Sequence, residues 1–258
     1  MRKIFVVMGL FMMIIFSGCG EIRETNKIII GIDDEFPPIC FHNERNELVG
    51  FDIDLIKEAT ERMGVKTEFR AIDWDKKREE IFSGNVDMIW NGLDITDERG
   101  EYMIFTRPYM DDRQVVLIKK GNDANFFSED DLEGKVVGTQ AGSTSEDYIN
   151  HDEELKNRLG GFKVYKKFNE VLEALKNKDI DALICDELIA RYEIKKYPDQ
   201  FELINVKIGN EAQMAVGFPK DKRELRDKVQ RVLEEMIKDG TAKKISEKWF
   251  QADLIKSM

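Results

Sequence analysis

The sequence predicts an α/β fold, and three observations predict it. From residue 27 onward, short β-branched runs alternate with stretches whose apolar residues recur at helical spacing. Leu225, Val229, Val232, Leu233, Met236 and Ile237 match one helical stripe at every step. A helix end, a polar turn, a β-branched residue, an Asp and three apolar residues occur twice, as FSGNVDMIWNG around Asp87 and KNKDIDALICD around Asp181. Two copies are too few for a solenoid. Two similar α/β lobes would produce such an echo, and so would the shared composition of helix–turn–strand units; the pattern alone leaves both open.

Composition narrows the class. The chain has 258 residues, 51 acidic against 40 basic, and a formal charge of -11. Charged residues reach 35%, above the roughly 25% of an ordinary globular protein, and 42% are hydrophobic. These values exclude a multispan membrane protein, a collagen, a disulfide-rich scaffold and a generic nucleic-acid binder, because no Lys/Arg cluster is long enough to hold a phosphate backbone. Apolar periodicity along the whole length argues against disorder.

The N-terminus is a separate regime. Arg2 and Lys3 precede an apolar run from Ile4 to Phe16, then Ser17, Gly18 and Cys19. That run reaches about 20 Å as a helix, short of the ~30 Å bilayer core, and reads as an export signal over residues 1–18. Cys directly after Ser-Gly resembles a bacterial lipobox, although Phe16 stands where Leu is usual. Cys19 would then be acylated (the palmitate class of modification) and residues 19–26 would be a lipidated tether, so the protein is expected outside the cytoplasmic membrane and held by lipid alone. The alternative is a simple secretory signal with Cys19 incidental. Cys40 and Cys185 sit in apolar settings and are expected as buried free thiols rather than a disulfide. His42 and His151 lack ligand spacing, so neither metal nor cofactor is expected.

Each element follows in order. Lys27 to Asp33 is an apolar strand ending in acids and a Pro-Pro turn. Asp52 to Met63 is a helix with Ile53, Ile56, Ala59 and Met63 on one face, stopped by Gly64. Val65 to Ile72 alternates as a strand, Lys76 to Phe82 is a helix ending near Gly84, and Val86 to Trp90 is a strand. Lys135 to Thr139 is a strand that runs into Ala141-Gly142-Ser143-Thr144-Ser145, small polar residues before Glu146 and Asp147 that mark a helix start. Phe168, Val171, Leu172 and Leu175 fit a helix face with Asn169 as its cap. Ile180 to Cys185 is a strand. The stripe from Leu225 to Ile237 is closed by Gly240, and a last helix carries Ile245 and Trp249.

Ordered motifs then carry a resemblance. GIDDEFPPI from Gly31, ELVGFDIDLIKEATERMGV from Glu47, IDWDKKREEIFSGNVDMIWNGLDITDERGEYMIFTRPYM from Ile72, DLEGKVVGTQAGSTSEDYI from Asp131, IDALICDE from Ile180 and DGTAKKISEKWF from Asp239 occur in sequence. Together they resemble the extracytoplasmic solute-binding proteins of polar amino-acid ABC importers. The resemblance implies a two-lobed, periplasmic-binding-protein-like (type II) α/β fold with two crossover strands as its hinge. Lobe 1 would comprise residues 27–112 and 214–258, and lobe 2 residues 113–213. It also implies a monomer that closes on one free amino acid and presents it to a membrane permease driven by an ATPase.

Site residues are carried over by position. Arg99 in ITDER matches the carboxylate-binding Arg, whose planar fork grips both oxygens; an isolated Arg would otherwise be read as a surface partner of Asp97 or Glu98. Ser143, Thr144 and Ser145 supply hydroxyls and N–H groups at a helix start for the same carboxylate, with Gln140 just before them. Asp186 matches the acid that takes the ligand's ammonium. Phe36 and Trp74 match walls for the ligand side chain, and Asp33 matches a position that accepts a distal cation in some basic-amino-acid binders. Asn91, Gly92 and Asp94 edge the strand next to Arg99. Asp94 departs from the usual Ser or Thr, and could point away or pair with Arg99. Asp33, Asp34 and Glu35 together suggest an acidic pocket for Arg, Lys, ornithine or His; a neutral ligand such as Gln or cystine is the alternative.

Two other classes fit part of the pattern. Dehydratases of arogenate or prephenate type share this fold and need a cleft acid, for which Asp94 is the one unusual candidate. No P-loop, GxSxG or Ser-His-Asp order supports an enzyme. A sensor domain would need a later span or kinase segment, and none is seen before Met258, but a ligand-sensing lipoprotein that hands its ligand to a separate receptor stays open.

Overall fold

The apolar run that starts at Lys27 becomes the second strand of a five-stranded sheet. A computed structural model of the protein describes residues 27–121 and 128–257; the signal and the Cys19 expectation lie outside the described residues. β1 (Lys27–Ile32) ends in three consecutive buried residues because both of its faces are covered. A small antiparallel sheet follows, β2 (Glu35–Phe36), β3 (Cys40–His42) and β4 (Leu48–Val49), where the sequence shows only a turn. α1 (Phe51–Met63) buries Ile53, Ile56 and Ala59, and Gly64 ends it at φ 64°. β5 (Lys66–Ala71) lies parallel to β1, pairing Lys27 with Lys66 and Ile32 with Ala71. A 3-10 turn at Trp74–Lys76 leads into α2 (Lys77–Phe82).

β6 is only Met88–Ile89, shorter than the Val86–Trp90 expected. The Asp87 carboxylate accepts the Ile29 N–H at 2.9 Å, taking a donor that a longer ladder would use. After α3 (Asp97–Gly100) and β7 (Met103–Phe105) comes β8 (Met110–Lys119). β9 (Val136–Gln140), α4 (Thr144–His151), α5 (Glu153–Arg158) and β10 (Gly161–Tyr165) start the second sheet. α6 (Phe168–Asn177) packs Val171, Leu172 and Leu175 inward. Its cap differs from expectation: Lys167 precedes the helix, its N–H donating to Glu170 Oε2 at 3.1 Å, while Asn169 lies inside. Asn169 instead donates its amide toward Glu35 Oε2 at 3.4 Å.

β11 (Ala182–Asp186), α7 (Glu187–Lys196), β12 (Phe201–Met214), β13 (Gly217–Pro219), α8 (Arg223–Lys238) and α9 (Thr241–Phe250) complete the chain. One sheet has the order β5-β1-β6-β13-β7 and the other β10-β9-β11-β8-β12. β8 and β12 are the connection. They pair antiparallel from Phe201 with Lys119 in the second sheet to Met214 with Met110, with register shifts after Ile204 and Ile208. At that far end Ile95 donates to the Gln213 carbonyl and Ala215 to that of Leu93, so the ribbon enters the first lobe. α8 buries Val229, Leu233 and Met236; α8 and α9 pack on α1 in that lobe. The result is two α/β lobes joined by two long strands, the architecture expected.

Candidate functional site

Strand ends and helix starts from both lobes converge on one cavity. Asp33 follows β1, Asn91, Gly92 and Asp94 follow β6, Gln140 ends β9 and Asp186 ends β11. Open α/β sheets present ligands at such carboxyl ends. Phe36 comes from β2, Trp74 from the 3-10 turn, Arg99 from α3, Ser143 caps α4, and Thr144 and Ser145 form its first turn. All twelve line one cavity between the lobes, completed by Gln114, Thr139, Phe168, Ile184 and Cys185.

Arg99 is the cation at its centre. It is 2% exposed, which excludes the surface alternative. Nη1 donates to the Asp94 main-chain oxygen at 2.9 Å and to Thr144 Oγ1 at 3.4 Å, and Nη2 donates to the Gly142 carbonyl at 3.1 Å. Nε has no partner among the described residues. Thr96 fixes the base of α3 by accepting the Arg99 N–H at 3.2 Å. On the facing lobe Ser143 Oγ accepts from Glu146 N at 3.1 Å, as an N-cap does.

Asp94 faces the cavity and is 1% exposed. Its Oδ2 accepts the Thr144 hydroxyl at 2.7 Å and its Oδ1 has no partner. Of the two sequence alternatives it therefore does not point away, and Arg99 bonds its main chain. Burial raises the Asp94 carboxyl while Arg99 and the Thr144 bond pull it down. Asp186 Oδ1 accepts Gln114 Nε2 at 2.7 Å, and the same amide reaches Asp112 Oδ2 at 3.0 Å. Ser145 donates to the Gln114 carbonyl, which fixes the amide's orientation.

At the other end, Asp33 Oδ1 accepts Glu35 N at 3.1 Å and Oδ2 accepts Gln140 Nε2 at 2.6 Å across the cleft. Burial raises its carboxyl against those bonds. The acidic run splits here: Asp33 lines the cavity, whereas Asp34 pairs with His42 Nε2 at 3.1 Å and Glu35 with Lys167 Nζ at 3.5 Å. Short acidic runs around a turn alternate their directions, so only one of the three acids forms the pocket wall.

Two glycines are needed where they stand. Gly92 has φ 55° and donates its N–H to buried Asp52 Oδ2 at 2.6 Å, while Tyr109 donates to both Asp52 oxygens at 3.0 Å. Gly142 has φ 69°, and a Cβ there would stand 2.7 Å from Asp75 Cα and 2.8 Å from the Trp74 oxygen. Lys77, 6% exposed, donates to Trp74 O at 3.0 Å and across the cleft to Gly142 O at 2.6 Å. Burial and the nearby Arg99 charge push its ammonium down to about 7. With Lys166–Asp73 at 2.9 Å, these contacts hold the lobes closed.

Sequence reading missed Asp112 and Gln114. The available signal was a pair of polar residues at alternate positions just before the apolar run Val115–Ile118, a strand with one polar row at its mouth. Cys40 and Cys185 are both free and buried, as expected.

The family model described as bacterial extracellular solute-binding proteins, family 3, matches residues 28–252. The chain is 29% identical over 239 residues to the L-cystine-binding protein TcyJ of Escherichia coli (strain K12), covering 92% of this chain and 87% of that protein. It is 30% identical over 240 residues to the arginine-binding extracellular protein ArtP of Bacillus subtilis (strain 168), covering 92% and 91%. A histidine-bound ABC uptake transporter substrate-binding protein from Streptococcus pneumoniae superposes with a TM-score of 0.83 at 34% identity, covering 90% of this chain and 95% of that one.

Proposed function

This chain belongs to the bacterial extracellular solute-binding proteins of family 3, and on that premise we propose that it captures a basic L-amino acid between its lobes for an ABC permease and its ATPase. The observation that carries the reading is the buried Arg99 guanidinium, with Nε unpartnered, facing the capped start of α4 across the cavity. A ligand carboxylate there meets a rigid cationic fork and a helix N-terminus, each a favourable partner for an anion. The ligand's ammonium then falls to Asp186, and its side chain to the Phe36 and Trp74 walls with Asp33 beyond.

Charge favours the basic class over glutamine or cystine. Asp33, Asp94, Asp112 and Asp186 are all buried at or beside the cavity, against Arg99 and, at its rim, Lys77. A zwitterion adds no net charge, whereas a basic amino acid adds one. Cystine- and arginine-binding relatives bracket the choice.

Lobes comprising residues 27–112 with 214–258, and 113–213, would close about β8 and β12, the two boundaries falling within or at the ends of those strands. The binding-protein family supports a carrier rather than an enzyme. The Ser-Gly-Cys19 motif supports an extracytoplasmic lipid anchor. Calorimetry of the purified protein with L-arginine, L-glutamine and L-cystine is the test. Tight arginine binding supports the reading; cystine binding with none of arginine refutes the basic class, and no binding of these three, with no thermal shift from any of the twenty amino acids, refutes amino-acid capture.

A further inference from the structure

Three carboxylates meet where the ligand's ammonium would sit. Oxygens of Asp94, Asp112 and Asp186 lie within 4.8 Å of one another, and all three residues are buried. Like charges this close, out of water, are not all retained together: a proton or a cation must neutralise part of the cluster. Their hydrogen bonds are unequal. Gln114 Nε2 spans Asp112 and Asp186, Asp94 takes the Thr144 hydroxyl, and Oδ1 of Asp112 has no donor. A separate observation points to a ligand in the same cavity. Asn91, 1% exposed, lines it with both Oδ1 and Nδ2 unengaged.

We infer that Asp112 is a positioning residue that shares one proton with Asp186, and that the arriving ammonium of the ligand displaces this proton to solvent. The inference rests on the amino-acid capture proposed above. Before capture the pair holds one O–H bond between two carboxylates. As the ammonium docks on Asp186 its charge replaces the proton's; the O–H bond breaks, its electrons stay on the carboxylate and the proton leaves to water. The ligand is not altered. Charged and titratable groups facing the pair are Asp94 after β6, Arg99 on α3, the Cys185 thiol, and the Arg113–Glu187 ion pair with Glu211 behind it. Burial and the neighbouring acids raise both carboxyls, with Arg99 and Gln114 opposing this at Asp186.

The sign follows. A proton that must leave competes with the ligand, so affinity falls with falling pH, by up to about tenfold per unit where the pair is protonated. The experiment is isothermal titration of wild-type protein and Asp112→Asn with L-arginine and L-glutamine, in buffers of different ionisation heat, from about pH 5 to about 8. Neither probe titrates its own groups near neutrality, so released protons come from the protein. Wild type should release a fraction of one proton per ligand and show the pH slope, and Asp112→Asn should lose both. Binding with no proton release and a flat profile overturns the inference while leaving amino-acid capture standing. A slope retained in Asp112→Asn but lost in Asp94→Asn overturns the assignment to Asp112. Failure to bind L-arginine, L-glutamine and, as a third probe, L-cystine overturns both readings. Should Asp112→Asn fail to fold, infrared difference spectra of wild type decide: a protonated-carboxyl band must disappear on ligand addition, and its persistence overturns the inference.

Discussion

Asp87 and Asp181 make the same pair of hydrogen bonds in separate sheets. Asp87 N donates to Ile29 O at 2.7 Å while its carboxylate accepts Ile29 N at 2.9 Å; Asp181 N donates to Val136 O at 2.8 Å while its carboxylate accepts Val136 N at 2.8 Å. The sequence echo is therefore a structural repeat, one per lobe. Each Asp replaces a strand partner for one N–H just before its strand. Substituting Asp181→Ala leaves Val136 N–H without that partner and should cost about 1–3 kcal/mol, read by urea unfolding. Asp181→Asn, which keeps an acceptor oxygen, should recover most of it. An alanine variant as stable as wild type would show the repeat to be incidental.

That pair also shows what the sequence carries. Motif-borne residues such as Arg99, Ser143 and Asp186 sit at strand ends and helix starts, where residue type and local turn chemistry are coupled, and all reach the cavity. Asp112 and Gln114 were hidden because their role arises from register: Gln114 stands opposite Asp186 across β8 and β11, a pairing 72 positions apart. β2 and β3 escaped because two or three residues have no measurable period. Residue type alone makes Asn169 a cap, but the Lys167–Glu170 bond supplies the capping geometry earlier in the chain.

Arg99→Lys tests the fork. Lysine keeps the charge but cannot grip two carboxylate oxygens or replace bonds to both Asp94 O and Gly142 O. Loss of a charge-assisted bond costs about 1.5–3 kcal/mol, so amino-acid affinity should fall roughly 10- to 150-fold by calorimetry. Wild-type affinity in Arg99→Lys would remove the carboxylate assignment.

Gly142→Ala should obstruct closure without unfolding either lobe. The added Cβ meets Asp75 and Trp74 across the cleft, and φ 69° is costly for alanine by about 1–3 kcal/mol. Ligand affinity should drop, and small-angle scattering should show less compaction on ligand addition than in wild type. Unchanged affinity would mean that the lobes close elsewhere than at this contact.

Thiol accessibility checks closure from the inside. Cys40 and Cys185 are free and buried, and burial raises both thiols away from the reactive thiolate. Cys185 also lines the cavity. Neither should react with a thiol reagent in the native state with ligand, both should react in denaturant, and ligand should slow labelling of Cys185 more than that of Cys40. Equal slowing at the two sites would argue against cleft closure as the cause.

Asp52 sets a pH dependence of stability. It is fully buried, accepts bonds from Gly92 N and Tyr109, and burial pushes its carboxyl from the ordinary 3.8 up to about 7. In the unfolded chain it ionises near that lower value; in the folded protein it holds its proton until about 7. Between the two, the folded state binds more protons, so stability is greatest at the acid end and declines as pH rises, by about 1.4 kcal/mol per unit from this one group. Asp33, Asp94 and Asp186 are raised in the same direction, so the total slope is not diagnostic. The difference between wild type and Asp52→Asn is. Asparagine cannot ionise, so the variant should lose one group's worth of slope across that window, measured by urea unfolding at several pH values. Parallel curves for the two proteins would show that Asp52 is ionised throughout, held so by its hydrogen bonds from Gly92 and Tyr109.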